Sequence, residues 1–217
     1  MISSRYRFLY LHVSKTGGNA IQTALLPFSD DRQTLAPHQD GTERFGIRGP
    51  VTPHKHATLQ EYETLSPGLS QSHAIVISVR HPFERAISAY FSPHRWLQRA
   101  ADGSISPRPA VWSESGFLAM LPKEVRPMVD YLRLGGGLRA ADIVIRHETL
   151  AQDFAAAVRA LALPGAAEMR LAHVNRSAAE GALRRRLLAD SQLRDRVEAQ
   201  YRADMDAFGY ASYRPAA

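Results

Sequence analysis

The sequence predicts an α/β fold in which a central, mostly parallel sheet is flanked by helices. Residues 8–13 form a short apolar run that leads through a glycine-containing loop into good helix formers. Residues 74–79 are β-branched and nearly continuous, as expected for a central parallel strand covered on both faces, and they also lead into a helix. Residues 141–146 have the composition of a further strand.

Composition limits the possible classes of protein. The chain has 217 residues, 45% of them hydrophobic, and no internal repeat or linker, so we expect a single domain over 1–217. The absence of cysteine excludes disulfides, zinc–thiolate sites and cysteine nucleophiles. No signal peptide is visible, and no apolar run approaches the roughly 20 residues of a membrane helix, which predicts a cytoplasmic protein without an integral membrane segment. The net charge of +6 and the pI of about 9.9 indicate an anionic partner.

The loop after the first strand, which we call the anion loop, is the first candidate site. It consists of Ser14, Lys15, Thr16, Gly17, Gly18 and Asn19. N–H groups at a helix start attract anions, and glycines let the backbone approach a phosphate or sulfate closely. Lys15 adds a mobile charge. Because this lysine precedes the glycine pair, the spacing differs from that of a nucleotide triphosphatase P-loop. A plain turn between strand and helix is the alternative interpretation.

The segment that follows the first helix is polar. Residues 27–49 are rich in turn formers, and we expect a loop with little regular structure. Thr58, followed by Glu61, has the pattern of a capping box and predicts a helix over 59–65.

His54 and His56 flank a lysine just before this predicted helix. In an extended segment the two rings would lie on the same side, which is also a metal-binding geometry. Since no acidic or cysteine third ligand lies nearby in sequence, we predict no metal site. A solvated basic loop is the alternative.

The second candidate anion site follows the strand 74–79. Arg80 comes at the carboxyl end of this strand, where open α/β sheets bind ligands, and Pro82 suits the first position of a helix. Arg85 and Ser88 are one helical turn apart, so a guanidinium and a hydroxyl converge near a helix start. The alternative is a surface ion-pair network with a buried serine.

The remaining chain is mostly helical. We expect an irregular segment over 92–109 and helices over 115–121, 125–134 and 154–163. Residues 180–208 are predicted to be helical, in one or two pieces. The arginines at 184–186 lack the interleaved aromatic residues of many nucleic-acid grooves, so we expect a solvated face and no nucleic acid partner.

Both anion-binding turns, with a His-x-His pair between them, resemble the sulfotransferases that use 3′-phosphoadenosine 5′-phosphosulfate (PAPS). The similarity is to the carbohydrate group that includes heparan sulfate 2-O-sulfotransferase and related bacterial proteins. The family's 5′-phosphosulfate loop is matched by residues 14–19. Its 3′-phosphate motif is matched by Arg80, Pro82, Arg85, Ser88 and Tyr90. The resemblance implies a P-loop-like three-layer fold.

The resemblance also implies roles for individual residues. The anion loop would hold the 5′-phosphosulfate, with Lys15 at the oxygen between phosphorus and sulfur, and Arg80 and Ser88 would clamp the 3′-phosphate. His56 or His54 would be the general base, and His56 is favoured because it adjoins a helix. The residues expected to help bind the nucleotide are Asn175, Arg176 and Ser177.

PAPS would be the co-substrate and PAP, its desulfonated form, the product, with no metal required. The expected partner is a hydroxyl-bearing acceptor, in particular a carbohydrate or glycan-like molecule. The sequence makes no prediction about oligomeric state. Two other functions fit parts of the pattern: a metal-dependent kinase with an atypical phosphate loop, and a non-catalytic protein that binds anions or nucleic acid.

Overall fold

The computed structural model of the chain describes residues 1–37, 43–92, 95–171 and 181–214. The strands are β1 (Ile2–Ser3), β2 (Phe8–Leu11), β3 (Arg32–Pro37), β4 (Glu43–Arg48), β5 (Ala74–Val79), β6 (Leu97–Arg99), β7 (Ile105–Pro107), β8 (Arg133–Leu134), β9 (Gly137–Leu138) and β10 (Ile143–Arg146). The α-helices are α1 (Gly18–Leu25), α2 (Leu59–Leu65), α3 (Leu69–Ser72), α4 (Pro82–Tyr90), α5 (Glu114–Glu124), α6 (Leu150–Ala160), α7 (Gly181–Ala189), α8 (Ser191–Gln200) and α9 (Arg202–Phe208).

The main sheet confirms the predicted α/β class. Within the described residues its strand order is β1-β2-β5-β10. The pairs β2–β5 and β5–β10 are parallel, whereas β1 runs antiparallel to β2. Tyr10 lies opposite Val76, and Ser78 lies opposite Ile145. Because the three strands β2, β5 and β10 run in one direction, their carboxyl ends meet at one edge of the sheet.

The chain divides into two compact units, and the first contains the main sheet. Among the described residues it comprises 1–36, 45–80 and 128–171. Its core joins one face of the sheet to α1 and α6. The principal members of this core are Phe8, Tyr10, Val76, Ile145, Ile21, Leu25, Phe154 and Val158. Both faces of β5 are covered, since Ile75, Val76 and Ile77 are all fully buried. This explains why that strand is a continuous apolar run.

The second unit comprises the described residues 37, 43–44, 81–92, 95–127 and 181–214. Its core contains α4, α5 and α8 and is centred on Tyr90. The Tyr90 ring makes edge contacts with several aromatic rings. These neighbours are Phe91, Trp96, Trp112 and Phe117. The tyrosine of the Arg80–Tyr90 motif is therefore part of a hydrophobic core.

Two segments predicted to be irregular contain strands. The polar segment 27–49 includes β3 and β4, which form a two-stranded sheet, and 92–109 includes the antiparallel pair β6–β7. Hydrogen bonds between short polar strands need no apolar pattern, so hydrophobic periodicity did not indicate them.

The helix predicted over 125–134 is wrong. This segment contains a 3-10 turn, Val129–Leu132, and then the hairpin β8–β9. The apolar spacing of Met128 and Tyr131 is three residues, which a 3-10 turn repeats as well as an α-helix does. Gly135 and Gly136 adopt positive φ angles of 57° and 84° in the hairpin turn.

The other helices follow the predictions more closely. Helix α2 has the predicted bounds and capping box, and α4 begins at Pro82. Helix α6 begins earlier than predicted, and the C-terminal helical region is divided into α7, α8 and α9. Asn175, Arg176 and Ser177 lie outside the described residues.

The capping box predicts a measurable contribution to stability. Thr58 Oγ1 accepts a hydrogen bond from the N–H of Glu61 at 3.3 Å, and Glu61 Oε2 accepts one from the N–H of Thr58 at 2.8 Å. Thr58→Ala should lower the free energy of unfolding, measured by urea denaturation, by about 1 kcal/mol. The control, Thr64→Ala, changes an exposed threonine of the same helix and should cost less than about 0.5 kcal/mol. Equal losses in the two variants would contradict a specific role for the cap.

Candidate active site

The anion loop joins β2 to α1 at the carboxyl edge of the sheet. Lys15 and Gly17 both adopt left-handed backbone conformations, with φ angles of 69° and 85°. A Cβ on Gly17 would lie 2.9 Å from Leu150 Cδ2, so both its conformation and its surroundings require glycine. Gly17 is also the residue that precedes α1, and it has no side chain to cap the N–H groups of the first turn. The loop therefore has the backbone geometry of an anion site.

A chain of buried hydroxyls fixes this loop to the sheet. Thr16 Oγ1 donates to the carbonyl of Val13 at 2.7 Å, because a carbonyl can only accept. Ser78 Oγ then donates to Thr16 Oγ1 at 2.7 Å, and the Tyr10 hydroxyl donates to Ser78 Oγ at 2.8 Å. Burial raises the pKa of Tyr10, so the phenol keeps the proton that starts this chain. All four polar groups are satisfied, and the loop is held over β5.

Three cations converge near the loop. The Arg80 guanidinium is 6% exposed, and its Nη1 lies 3.5 Å from the carbonyl of Lys15, to which it donates. Lys55 Nζ donates to the carbonyl of Phe45 at 3.0 Å. Burial, followed by the charges of Arg80 and Lys55, lowers the pKa of Lys15. These cations destabilise one another, and a bound anion would relieve that repulsion.

His56 lies against the main chain that leads into the loop. Its Nδ1 is 2.9 Å from the carbonyl oxygen of His12, which can only accept, so Nδ1 carries the proton. In the neutral ring, Nε2 is then the basic atom. The imidazole rings of His12 and His56 are 4.4 Å apart between centroids. The hydrogen bond to the His12 carbonyl therefore fixes the orientation of the His56 ring and leaves Nε2 as its acceptor atom.

His54 lies in a different environment. Its Nε2 is 3.0 Å from Glu61 Oε1, and its side chain is 52% exposed. Residues 54–57 form a turn, in which the N–H of Ala57 donates to the carbonyl of His54. The segment is therefore not extended, so the alternation that would place both rings on one side does not apply to it.

Asn19 has an incomplete set of hydrogen bonds. It is the second residue of α1, and its Oδ1 is buried without a partner among the residues that the structure describes. The oxygen and nitrogen of such an amide are assigned from the surrounding hydrogen bonds. In the opposite orientation the amide NH₂ would occupy this position and could donate to an anion. The side chain thus fits a site in which a ligand supplies the missing partner.

The residues of the second predicted anion site belong to two units. Arg80 ends the first unit, and Ser88 is a half-buried residue of α4 in the second. Arg85 is 1% exposed, and its Nη2 donates to the carbonyl of Arg126 at 2.9 Å, so it holds the second unit together. His81 caps α4 by accepting from the N–H of Phe83 at 3.2 Å. The joint clamp by Arg80 and Ser88 stays a prediction.

Sequence reasoning missed several polar residues near the loop. Lys55 was interpreted only as part of a basic segment, and His12 and Gln22 only as parts of a strand and a helix. The side chains of His12 and Gln22 are connected by a hydrogen bond of 2.8 Å between His12 Nδ1 and Gln22 Oε1. His147 follows β10, its N–H donates to the carbonyl of Val79, and its ring would lie 3.5 Å from a Cβ on Gly17. For His147 a signal was available, since it directly follows a predicted strand.

In the described ranges, no group of three or more histidine or acidic side chains is arranged to hold a metal ion. None of the helices in 1–37, 43–92, 95–171 and 181–214 has both the length and the apolar character that a membrane crossing requires.

Comparison with known proteins gives one match. Residues 1–105 match the sequence model of the sulfotransferase family. The matched range includes the anion loop, His56 and Arg80. No curated protein and no solved structure matches the chain. The similarity to that family therefore covers residues 1–105 of the 217 residues.

The buried His12 predicts how stability depends on pH. Burial, followed by the charges of His56 and Lys55, lowers the pKa of His12 well below its ordinary value of 6.5. As the pH falls below 6.5, the unfolded chain binds a proton at His12 that the folded chain does not bind. This difference should lower the free energy of unfolding, by at most about 1.4 kcal/mol per pH unit.

Urea denaturation as a function of pH tests this expectation. His12→Phe should make the acid decline in stability less steep, because the titrating group is removed. The control, Gln60→Leu, replaces an exposed residue that does not titrate and should leave the slope unchanged. A slope that is the same in wild type and His12→Phe would contradict the neutral, buried state of His12.

Proposed function

We propose that this protein is a PAPS-dependent sulfotransferase, which moves a sulfuryl group to an acceptor hydroxyl and releases PAP. The observation that carries the proposal is the convergence of Lys15, Lys55 and Arg80 on the anion loop, beside the oriented ring of His56. A cation cluster alone would fit any anion. His56, which is hydrogen-bonded to the carbonyl of His12 directly after β2, adds a base close to the anion loop.

Several features of the first unit fit the 5′ end of PAPS. The left-handed Gly17 lets the backbone approach the ligand, and the uncapped start of α1 supplies N–H donors. The buried amide of Asn19 has capacity for another hydrogen bond. Burial, followed by repulsion from Arg80 and Lys55, lowers the pKa of Lys15, and the negative charges of a phosphosulfate would offset that repulsion.

The roles of the residues follow from where charge changes during the reaction. When bound, PAPS supplies a sulfuryl group attached to a phosphate leaving group. Lys15 would stabilise the negative charge that grows on the bridging oxygen, and this interaction strengthens in the transition state. His56 Nε2 would take the proton of the acceptor hydroxyl as its oxygen bonds to sulfur. In this step the acceptor oxygen would form an S–O bond, the S–O bond to the bridging oxygen would break, and His56 would hold the proton.

The distal end of the nucleotide is assigned from the resemblance. We propose that Arg80 and Ser88 bind the 3′-phosphate and that Asn175, Arg176 and Ser177 contribute to the nucleotide site. Arg80 is suited to this task because a guanidinium forms paired hydrogen bonds with phosphate oxygens. His54 is the second candidate for the base, but its bond to Glu61 favours His56.

The extent of the domain and the acceptor complete the proposal. We propose one sulfotransferase-like domain over 1–217, because β10 lies beyond the matched range 1–105 and yet belongs to the same sheet as β2 and β5. A carbohydrate or glycan-like hydroxyl is the first acceptor class to screen. A cytoplasmic location stays a prediction from the composition.

Ligand binding separates this function from its alternatives. In calorimetric titrations with a chelator present, PAP should bind about 10–100-fold more tightly than ADP, because a 3′-phosphate adds charge-assisted hydrogen bonds. Tighter binding of ADP, dependent on added magnesium, would support a kinase instead. Comparable affinity for PAP and for unrelated polyanions, falling steeply with salt, would support a non-catalytic anion-binding protein.

Lys15 provides a test of the chemistry. Lys15→Ala should lower kcat for transfer of labelled sulfate from PAPS, measured in an acceptor screen, by about 10²–10³-fold. PAP affinity should fall less, since the loop N–H groups remain. The control is Lys123→Ala, which removes an exposed lysine of α5 and should leave turnover unchanged. Turnover by Lys15→Ala that approaches that of the wild type would rule out the assigned role.

A further inference from the structure

We propose that His12 and Gln22 are positioning residues that fix the orientation and the basic nitrogen of His56. This inference rests on the proposed function, which makes His56 the general base. Neither residue is assigned a role by the motifs described above. The proposal is carried by a connected set of hydrogen bonds whose directions the structure determines.

Two main-chain carbonyls determine these directions. Gln22 Nε2 lies 3.4 Å from the carbonyl of Lys55, which can only accept, so the amide NH₂ faces Lys55. Gln22 Oε1 therefore faces His12 Nδ1 at 2.8 Å, and His12 carries its proton on Nδ1. The carbonyl of His12 in turn accepts from His56 Nδ1 at 2.9 Å. The side chain of Gln22 thus holds the ring of His12, and the main-chain carbonyl of His12 holds the ring of His56.

The His12 ring also connects the base to the anion loop. A Cβ on Gly18 would lie only 1.9 Å from His12 Cδ2, so the ring fills the space beside the first residue of α1. The same ring lies 4.4 Å from that of His56 between centroids. Gln22 is fully buried and His12 is 4% exposed, so neither ring nor amide has room to rotate freely. The packing of the His12 ring against Gly18 and against His56 therefore sets the distance between the base and the loop.

The charges around the two rings are consistent with a neutral His12. The titratable groups near His56 include His12, on the segment after β2, and Lys55, on its own segment, and Lys55 also affects Lys15 together with Arg80. Because His12 stays neutral, it does not compete for the proton that His56 accepts. Its contribution is to geometry, which matters because a displacement of about 1 Å can reduce a rate about 10²-fold.

The test is the protonation pattern of the histidine rings in the unliganded protein, measured by ¹⁵N NMR. In the wild type, His56 should be the neutral form with its proton on Nδ1. In Gln22→Leu and in His12→Phe, which keeps an aromatic ring but has no ring nitrogen, His56 should become a mixture of the two neutral forms. Gln60→Leu is the matched control, since Gln60 is an exposed residue of α2. Thermal unfolding checks that each variant is folded.

If either of the other variants fails to fold, Gln22→Glu tests the two hydrogen bonds of the Gln22 side chain separately. The carboxylate still accepts from His12 but repels the carbonyl of Lys55, so His56 should again lose its single protonated form. Sulfate transfer by the folded variants should fall about 10–100-fold with PAP affinity unchanged. A single Nδ1-protonated form of His56 in every folded variant would overturn the inference. Failure of the wild type to bind PAP would instead overturn the proposed function, because the NMR measurement needs no ligand.

Discussion

The buried hydroxyl chain from Tyr10 through Ser78 to Thr16 is the constraint on which the candidate site depends. It ties a glycine-containing loop to the central strand β5 through groups that are fully buried and mutually satisfied. Without this tie the loop would be a surface turn with two left-handed residues. With it, Lys15 is held at the carboxyl edge of the sheet, where Arg80 also emerges, and cations that repel each other are kept together.

The parts of the fold that were predicted from sequence are those that local chemistry determines. A continuous apolar run defines β5, Pro82 marks the start of α4, and Thr58 with Glu61 marks the start of α2. The incorrect predictions concern segments whose local sequence pattern fits more than one structure or shows no periodicity. The spacing of Met128 and Tyr131 fits a 3-10 turn and an α-helix equally, and the polar strands β3 and β4 carry no periodic signal.

The residues of the candidate site also fall into those that the local sequence indicates and those that it does not. The anion loop and Arg80 were candidates because each follows a predicted strand, and His56 was a candidate because it belongs to a His-x-His pair before a helix. The connection from Lys55 through Gln22 to His12 could not, because it joins residues far apart in sequence that only the folded main chain brings together. A buried glutamine within an amphipathic helix is read from sequence as an ordinary helix former, and its partners are invisible at that level.

The backbone of Lys15 has a consequence for how this loop tolerates change. A lysine with a φ angle of 69° occupies a conformation that costs a residue with a side chain about 1–2 kcal/mol, and glycine would adopt it without strain. Lys15→Gly would therefore relax the loop and remove a buried charge at the same step. Selection for thermostability alone would favour that replacement, whereas the role proposed for the Lys15 ammonium would oppose it. At position 15, the residue that gives the more stable backbone therefore differs from the residue that supplies a positive charge.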